Sequence, residues 1–121
     1  MVTRSTSFGP TALGTADTET QIGSAYTFAT TGRIKVIRVV FDQATVDIGM
    51  QGILFLYFKK LTGPFEFVVG AISGKLTASE VSIPAQEIEV DIPYDNGEVV
   101  TVKMKGTEIL ADVTVSLICI E

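Results

Sequence analysis

The sequence lacks the residues on which most enzyme chemistry depends. Its 121 residues include no histidine, no tryptophan and one cysteine, Cys119. Histidine is the usual general base of serine and cysteine hydrolases and a common zinc ligand, and the sequence holds no Gly-x-Ser-x-Gly motif. A single cysteine excludes an intrachain disulfide, and its position in the apolar run 117–120 predicts a small buried side chain. We therefore expect no enzyme activity and no cofactor.

Charged residues are also scarce. They make up 19% of the chain, against about 25% in a typical soluble domain. Apolar residues make up 46%, and the mean hydropathy is +0.41. A chain of this length forms one small domain, whose large surface stays partly apolar unless a partner covers it. We therefore expect the chain to form a homo-oligomer.

The few basic residues are scattered. The net charge is −5, and the first 32 residues contain one basic residue, Arg4. Binding to phosphate backbones needs clustered Lys and Arg, so we expect no direct contact with nucleic acid. The longest apolar run, 53–58, is far shorter than the ~20 residues of a membrane helix, and no signal peptide is recognisable. We expect synthesis in the cytoplasm and no membrane span.

The remaining chain reads as short strands rich in Val, Ile and Thr, separated by turn residues. The eight predicted strands cover residues 25–30, 33–42, 53–60, 65–72, 75–83, 86–92, 98–105 and 112–120. Between the sixth and seventh, Asp95-Asn96-Gly97 predicts a type I′ hairpin. Eight short strands at regular spacing predict an all-β antiparallel sandwich, and a jelly roll in particular.

The first 24 residues are rich in Thr, Ser, Gly and Ala, and we expect residues 1–24 to form an extended N-terminal arm beside a sandwich of residues 25–121. Phe8, Leu13 and Ile22 are its candidate contacts with a neighbouring subunit, although Phe8 could equally pack within its own subunit. Arg38 and Tyr57 complete the candidate interface, because they lie in strands that are apolar on both faces.

Two sequence patterns resemble ligand-binding sites, one for phosphate and one for calcium, but neither matches its motif well. The segment 70–76 resembles a phosphate-binding loop, but it is one residue short between its glycines, and Leu76 replaces the required Ser or Thr. A strand end and a turn are the better interpretation. Glu87, Glu89, Asp91 and Asp95 are weak calcium candidates, since carboxylates on a solvated strand face are far more common than calcium sites. We expect no metal site.

In its strand pattern over residues 25–121, the chain resembles the small jelly-roll coat and decoration proteins of viruses and phages. The resemblance implies a virion subunit (a capsid, cement or decoration protein) that forms trimers or rings on a larger shell. The missing basic arm then favours a minor capsid, cement or outer-shell protein of a double-stranded DNA particle. The alternative is a non-catalytic carbohydrate or surface-binding module. Two tyrosines on an open face near residues 87–91 would favour it, because sugars stack on aromatic rings.

Overall fold

The chain folds almost entirely into β-structure. The computed structural model describes residues 2–43, 47–48, 51–70, 74–75, 82–107 and 110–121. Within these ranges the strands are β1 (Thr3–Leu13), β2 (Thr20–Gln21), β3 (Tyr26–Thr27), β4 (Gly32–Gln43), β5 (Asp47–Ile48), β6 (Gln51–Phe58), β7 (Phe65–Gly70), β8 (Gly74–Lys75), β9 (Ser82–Tyr94), β10 (Val99–Gly106) and β11 (Leu110–Ile120).

The strands form two facing antiparallel sheets. Sheet A has the order β1-β11-β4-β9, and sheet B has the order β2-β10-β6-β7, with β3 also pairing β10; β5 and β8 form a separate short pair. Taking β2 and β3 together, the eight long segments alternate between the sheets along the chain, except that β6 and β7 are neighbours in sheet B. This is the strand order of a jelly roll, so the predicted sandwich and its jelly-roll arrangement are confirmed.

The core lies between the inner faces of the two sheets. On β10 the side chains of Val100, Val102 and Met104 are fully buried, and they alternate with more exposed neighbours. On sheet A, alternate residues of β11 point toward these side chains. The last of them is Cys119, which is 1% exposed. The period of two follows from the strand geometry, in which successive side chains point to opposite faces. The prediction of a buried Cys119 is confirmed.

The N-terminal segment belongs to the sandwich, which corrects the expected arm over residues 1–24. Strand β1 pairs along its length with β11, from Thr3 opposite Ile120 to Leu13 opposite Leu110. Its polar composition misled the prediction, because most of its residues lie on the solvent side or at the sheet edge. Gly9 permits the bend between its two halves: its φ is +94°, and a Cβ there would lie 2.5 Å from the carbonyl oxygen of Val113.

The turn at residues 95–98 is present, but it does not join a hairpin. The amide of Glu98 donates to the carbonyl of Asp95, and Gly97 alone of the two central residues has a positive φ, +87°, as in a type II turn. Strands β9 and β10 on either side lie in different sheets. The predicted type I′ hairpin is therefore wrong, because burial of the facing apolar sides of β9 and β10 outweighs the local preference of Asn-Gly.

The strand predicted at 75–83 and the faces predicted for β4 compare differently with the structure. The strand predicted at 75–83 falls largely outside the described residues; Lys75 ends β8, and Ser82 begins β9. The segment 70–76 also lies partly outside them. In β4, a register shift between Ile34 and Val36 turns Ile34 into the core. A regular strand would have kept Ile34 on the same face as Val36 and Val40, as the sequence predicted.

Candidate interaction surface

The outer face of sheet B carries Val68, the most exposed large apolar side chain among the described residues. Directly opposed residues of antiparallel strands share a face, so Ile53 lies beside Val68, and Phe55 and Tyr57 follow on the same side of β6. We call Ile53, Phe55, Tyr57 and Val68 the β6–β7 face. Three of its side chains are half-buried or buried, whereas Val68 is 78% exposed.

Charged side chains surround this apolar surface. Lys105 lies opposite Ile53, Lys103 lies opposite Phe55 on one side, and Glu66 lies opposite Phe55 on the other. Both signs of charge therefore border the β6–β7 face. An apolar centre with a charged rim is the usual composition of a surface that binds another protein.

Tyr57 is held in place by a small polar network. Its hydroxyl donates to Oε1 of Glu19 at 2.6 Å, and its ring lies 5.0 Å from Nζ of Lys103. Lys103 also approaches Glu19, with 3.8 Å between Nζ and Oε1. The hydrogen bond to Glu19, together with desolvation, raises the pKa of Tyr57 to about 12. The ring is thereby fixed at the surface, in contact with Phe55 at a centroid distance of 6.1 Å.

Two shallow cavities of about 310 Å³ each lie near the ends of β6. One is lined by Ile53 and Val68, with Asp17 and Lys105 at its border. The other is lined by Phe58, Leu61 and Phe65, among others. Ligand pockets are usually at least this large and more enclosed. The first cavity therefore borders the β6–β7 face, whereas the second lies at the end of the sandwich, beside the turn at residues 95–98.

The outer face of sheet A has a different character, because its charges are paired. Arg33 donates through Nε and a terminal nitrogen to the two carboxylate oxygens of Asp91, at 2.6 and 3.0 Å, and Nζ of Lys35 lies 2.8 Å from the same carboxylate. These hydrogen bonds, first from Arg33 and then from Lys35, hold the pKa of Asp91 well below its usual range. A carboxylate already engaged by two cations is a poor calcium ligand.

The other three calcium candidates lie on β9 or in the turn after it. Glu87 lies opposite Arg38, with 3.9 Å between Oε1 and Nε, and Glu89 lies opposite Val36. Asp95 is exposed in the following turn. Over the described ranges, no three His, Cys, Asp or Glu side chains are grouped closely enough to hold a metal ion. Arg38, a predicted interface residue, is exposed on the outer face of sheet A.

Phe8, Leu13 and Ile22 do not fit their predicted interface role. Their side chains are 2%, 1% and 0% exposed in the chain's own core. They were predicted as interface residues because they are the large apolar side chains of a polar segment. Large apolar side chains are also the ones that a folded core buries. The alternative left open for Phe8, packing within its own subunit, is the one the structure shows. Of the five interface candidates, Tyr57 alone lies on the β6–β7 face.

A second polar cluster closes the end of the sandwich where β1, β9 and β11 meet. The carboxylate of Glu121 accepts hydrogen bonds from Nε of Arg4 at 2.8 Å, from the Tyr94 hydroxyl at 3.0 Å and from the Thr30 hydroxyl at 3.1 Å. The bond from Arg4 is the main cause of a lowered Glu121 pKa. Tyr94 stacks on Phe28 at 3.7 Å. This cluster joins three strands within the chain.

Sequence reasoning missed Val68 as a surface residue. The signal was present in the apolar character of both faces of strand 53–60 and in the unbroken apolar run 67–69 of its neighbour. The register that places Val68 beside Ile53 depends on which strands pair, and one sequence does not reveal that pairing.

The chain matches no model of a known protein family and no curated protein sequence. No helix in the described part of the chain has both the length and the apolar character needed to cross a bilayer.

Proposed function

We propose that the chain is a structural assembly protein: a virion subunit, either capsid, cement or decoration protein, that self-associates and packs on a larger protein shell. The observation that carries the proposal is the β6–β7 face. It places a 78% exposed Val68 beside Ile53, Phe55 and Tyr57. Removal of such apolar surface from water is the main driving force of protein association.

The jelly-roll strand order supports the virion part of the proposal by analogy. It is the arrangement of the small coat and decoration proteins that the strand pattern resembles, and a fold by itself does not assign a function. The low content of charged residues, 19%, points in the same direction, because a subunit covered by neighbours needs fewer of them. The proposed partners are further copies of the chain, with a trimer favoured, and a larger protein shell or filament; the proposed location is the virion.

The positions of the tyrosines do not favour a carbohydrate-binding module. That alternative needs two tyrosines near residues 87–91 on the outer face of sheet A. Tyr94 is 2% exposed in the core, Tyr26 packs against the core, and Tyr57 lies on the other sheet. The described residues of the outer face of sheet A therefore present no pair of rings on which a sugar could stack.

Solution mass as a function of concentration tests the assembly proposal. Sedimentation velocity of the full chain should give species heavier than the 12.9 kDa monomer, and electron microscopy of the concentrated protein should show closed rings or shells. A monomer at every concentration, with no ordered particles, would contradict the self-association on which the proposal depends.

A further inference from the structure

The free edge of strand β7 differs from the other sheet edges. In sheet B, β7 is the last strand in the order β2-β10-β6-β7, and among the described residues no strand pairs with its second edge. Within the described ranges, the backbone donors and acceptors on that side of β7 have no strand partner. An exposed edge of this kind is a template for pairing, and natural proteins usually protect it.

The other edges carry such protection. Strand β1 contains Pro10 and two register shifts. Strand β9 contains Pro93, two register shifts and the charged residues of its outer face. The opposite edge of sheet B is formed by β2 and β3, which have two residues each. Short strands, proline, bulges and charge are the devices that prevent edge-to-edge association.

Of these devices, strand β7 has a single charged residue. It reads Phe-Glu-Phe-Val-Val-Gly over six residues, with no proline and no Lys or Arg, and it pairs with β6 in regular register throughout. Its one charged residue, Glu66, lies on the outer face with Val68. A regular apolar strand at an edge with so little protection favours pairing with a strand of similar character.

We propose that β7 pairs antiparallel with β7 of a second copy of this chain, across a two-fold axis at Val68. This inference rests on the proposed self-assembly and assigns one contact within it. Two copies of sheet B would become one continuous sheet, and the β6–β7 faces of both copies would form a single apolar surface centred on the axis.

The sequence of β7 is self-complementary in this register. Val68 lies opposite its own copy, Phe67 lies opposite Val69, and Glu66 lies opposite Gly70, so each side chain stays on its own face of the sheet. The two Glu66 carboxylates are kept apart, and each faces a residue without a side chain. A register centred on Glu66 would oppose like charges, which is destabilising. A register centred on Phe67 would place Glu66 against Val68.

A two-fold contact places the same patch on both partners and does not by itself build a trimer. Within the proposed shell, the β7 contact would join one ring or trimer to the next. Dimers are the species expected when this contact acts alone.

Two cysteine variants test the contact directly. Directly opposed residues of antiparallel strands have Cα atoms about 4.5–5.5 Å apart, which matches the span of a disulfide. Under mild oxidation Val68→Cys should form covalent dimers, and Leu61→Cys, 51% exposed in the turn before β7, should not. The native Cys119 is buried in every variant. Equal cross-linking of the two variants would overturn the proposal.

Charge variants test the same register without a covalent bond. Val68→Lys and Val68→Glu should each weaken self-association by about tenfold or more, because like charges then meet on the two-fold axis. An equimolar mixture of the two should associate again. If the wild type associates and neither variant weakens it, the interface lies elsewhere and the β7 contact is wrong while self-assembly stands. If the wild type is a monomer at every concentration and Val68→Cys does not cross-link, both are wrong.

Discussion

The two outer faces of the sandwich are built from strands of similar regularity and differ in how their side chains are satisfied. On sheet A, Asp91 is held by Arg33 and Lys35, and Arg38 faces Glu87. On sheet B, Val68 is 78% exposed at the edge of an apolar surface. These charges of sheet A have partners within the chain, whereas Val68 on sheet B leaves most of its apolar surface in water. The difference locates the proposed contact on sheet B.

The largest expected effect concerns the first strand, because the comparison of two outer faces holds only if residues 1–24 are part of the sandwich. Phe8→Ala should lower the free energy of unfolding by about 3–5 kcal/mol, as expected for a buried phenylalanine. Ser5→Ala, an exposed position on the same strand, should change it by less than about 0.5 kcal/mol. Chemical denaturation measures both. Unchanged stability of Phe8→Ala with lost self-association would restore the interface interpretation of Phe8.

A matched pair of charge substitutions compares the outer faces themselves. Ile53→Glu places a carboxylate opposite Lys105 on sheet B, and Val36→Lys places an ammonium opposite Glu89 on sheet A. Each new charge meets an opposite charge across the strands, so both variants should fold. Ile53→Glu should weaken self-association by about tenfold or more, since it places a charge on the β6–β7 face, whose removal from water drives the proposed assembly, whereas Val36→Lys should leave it unchanged. Sedimentation velocity distinguishes them, and equal loss in both would remove the distinction between the faces.

A smaller effect is expected at Asp91. Its lowered pKa means that the ionised carboxylate stabilises the folded chain at neutral pH, and this contribution is lost as the pH falls from about 4 toward the lower pKa of the folded state. Asp91→Asn should lower the melting temperature slightly at pH 7 and converge with the wild type in acid. Glu89→Gln on the same face serves as the control. A constant difference between Asp91→Asn and the wild type at all pH values would contradict the assignment.

The smallest effect is expected at Tyr57. Its pKa is raised from 10.0 to about 12, so the Glu19 hydrogen bond contributes fully below pH 10 and is lost as the pH rises through about 12. Tyr57→Phe should lower the melting temperature slightly at neutral pH, because it removes one exposed hydrogen bond, and it should remove one late step from the ultraviolet titration of the tyrosines. Persistence of that step in Tyr57→Phe would show that another tyrosine causes it.

Most of the fold was readable from the sequence, because alternation and turn residues specify strands locally. The strand predicted at 33–42 is β4, and the one at 112–120 is β11, each within two residues at either end. Strand β1 was missed because its solvent-side Ser and Thr residues hide a pattern with only a few buried positions. The turn at 95–98 was found, but its strands separate into two sheets, and that choice depends on packing between distant segments.

The candidate surface was only partly readable. Tyr57 was selected because its strand is apolar on both faces, and it does lie on the outer face of sheet B. Val68 was not selected, because its exposure depends on β7 being the edge strand, which the strand order determines. Phe8, Leu13 and Ile22 were selected for being large and apolar, a property that buried and interface residues share. Burial, which distinguishes the two, is a property of the folded chain.

The most direct test of the central claim is the sedimentation behaviour of the wild-type chain beside Val68→Lys, Val68→Glu and their equimolar mixture. The claim that sheet B is the face of assembly predicts association of the wild type, loss of association in each variant alone and its return in the mixture. Association of similar strength in all four samples would contradict the claim.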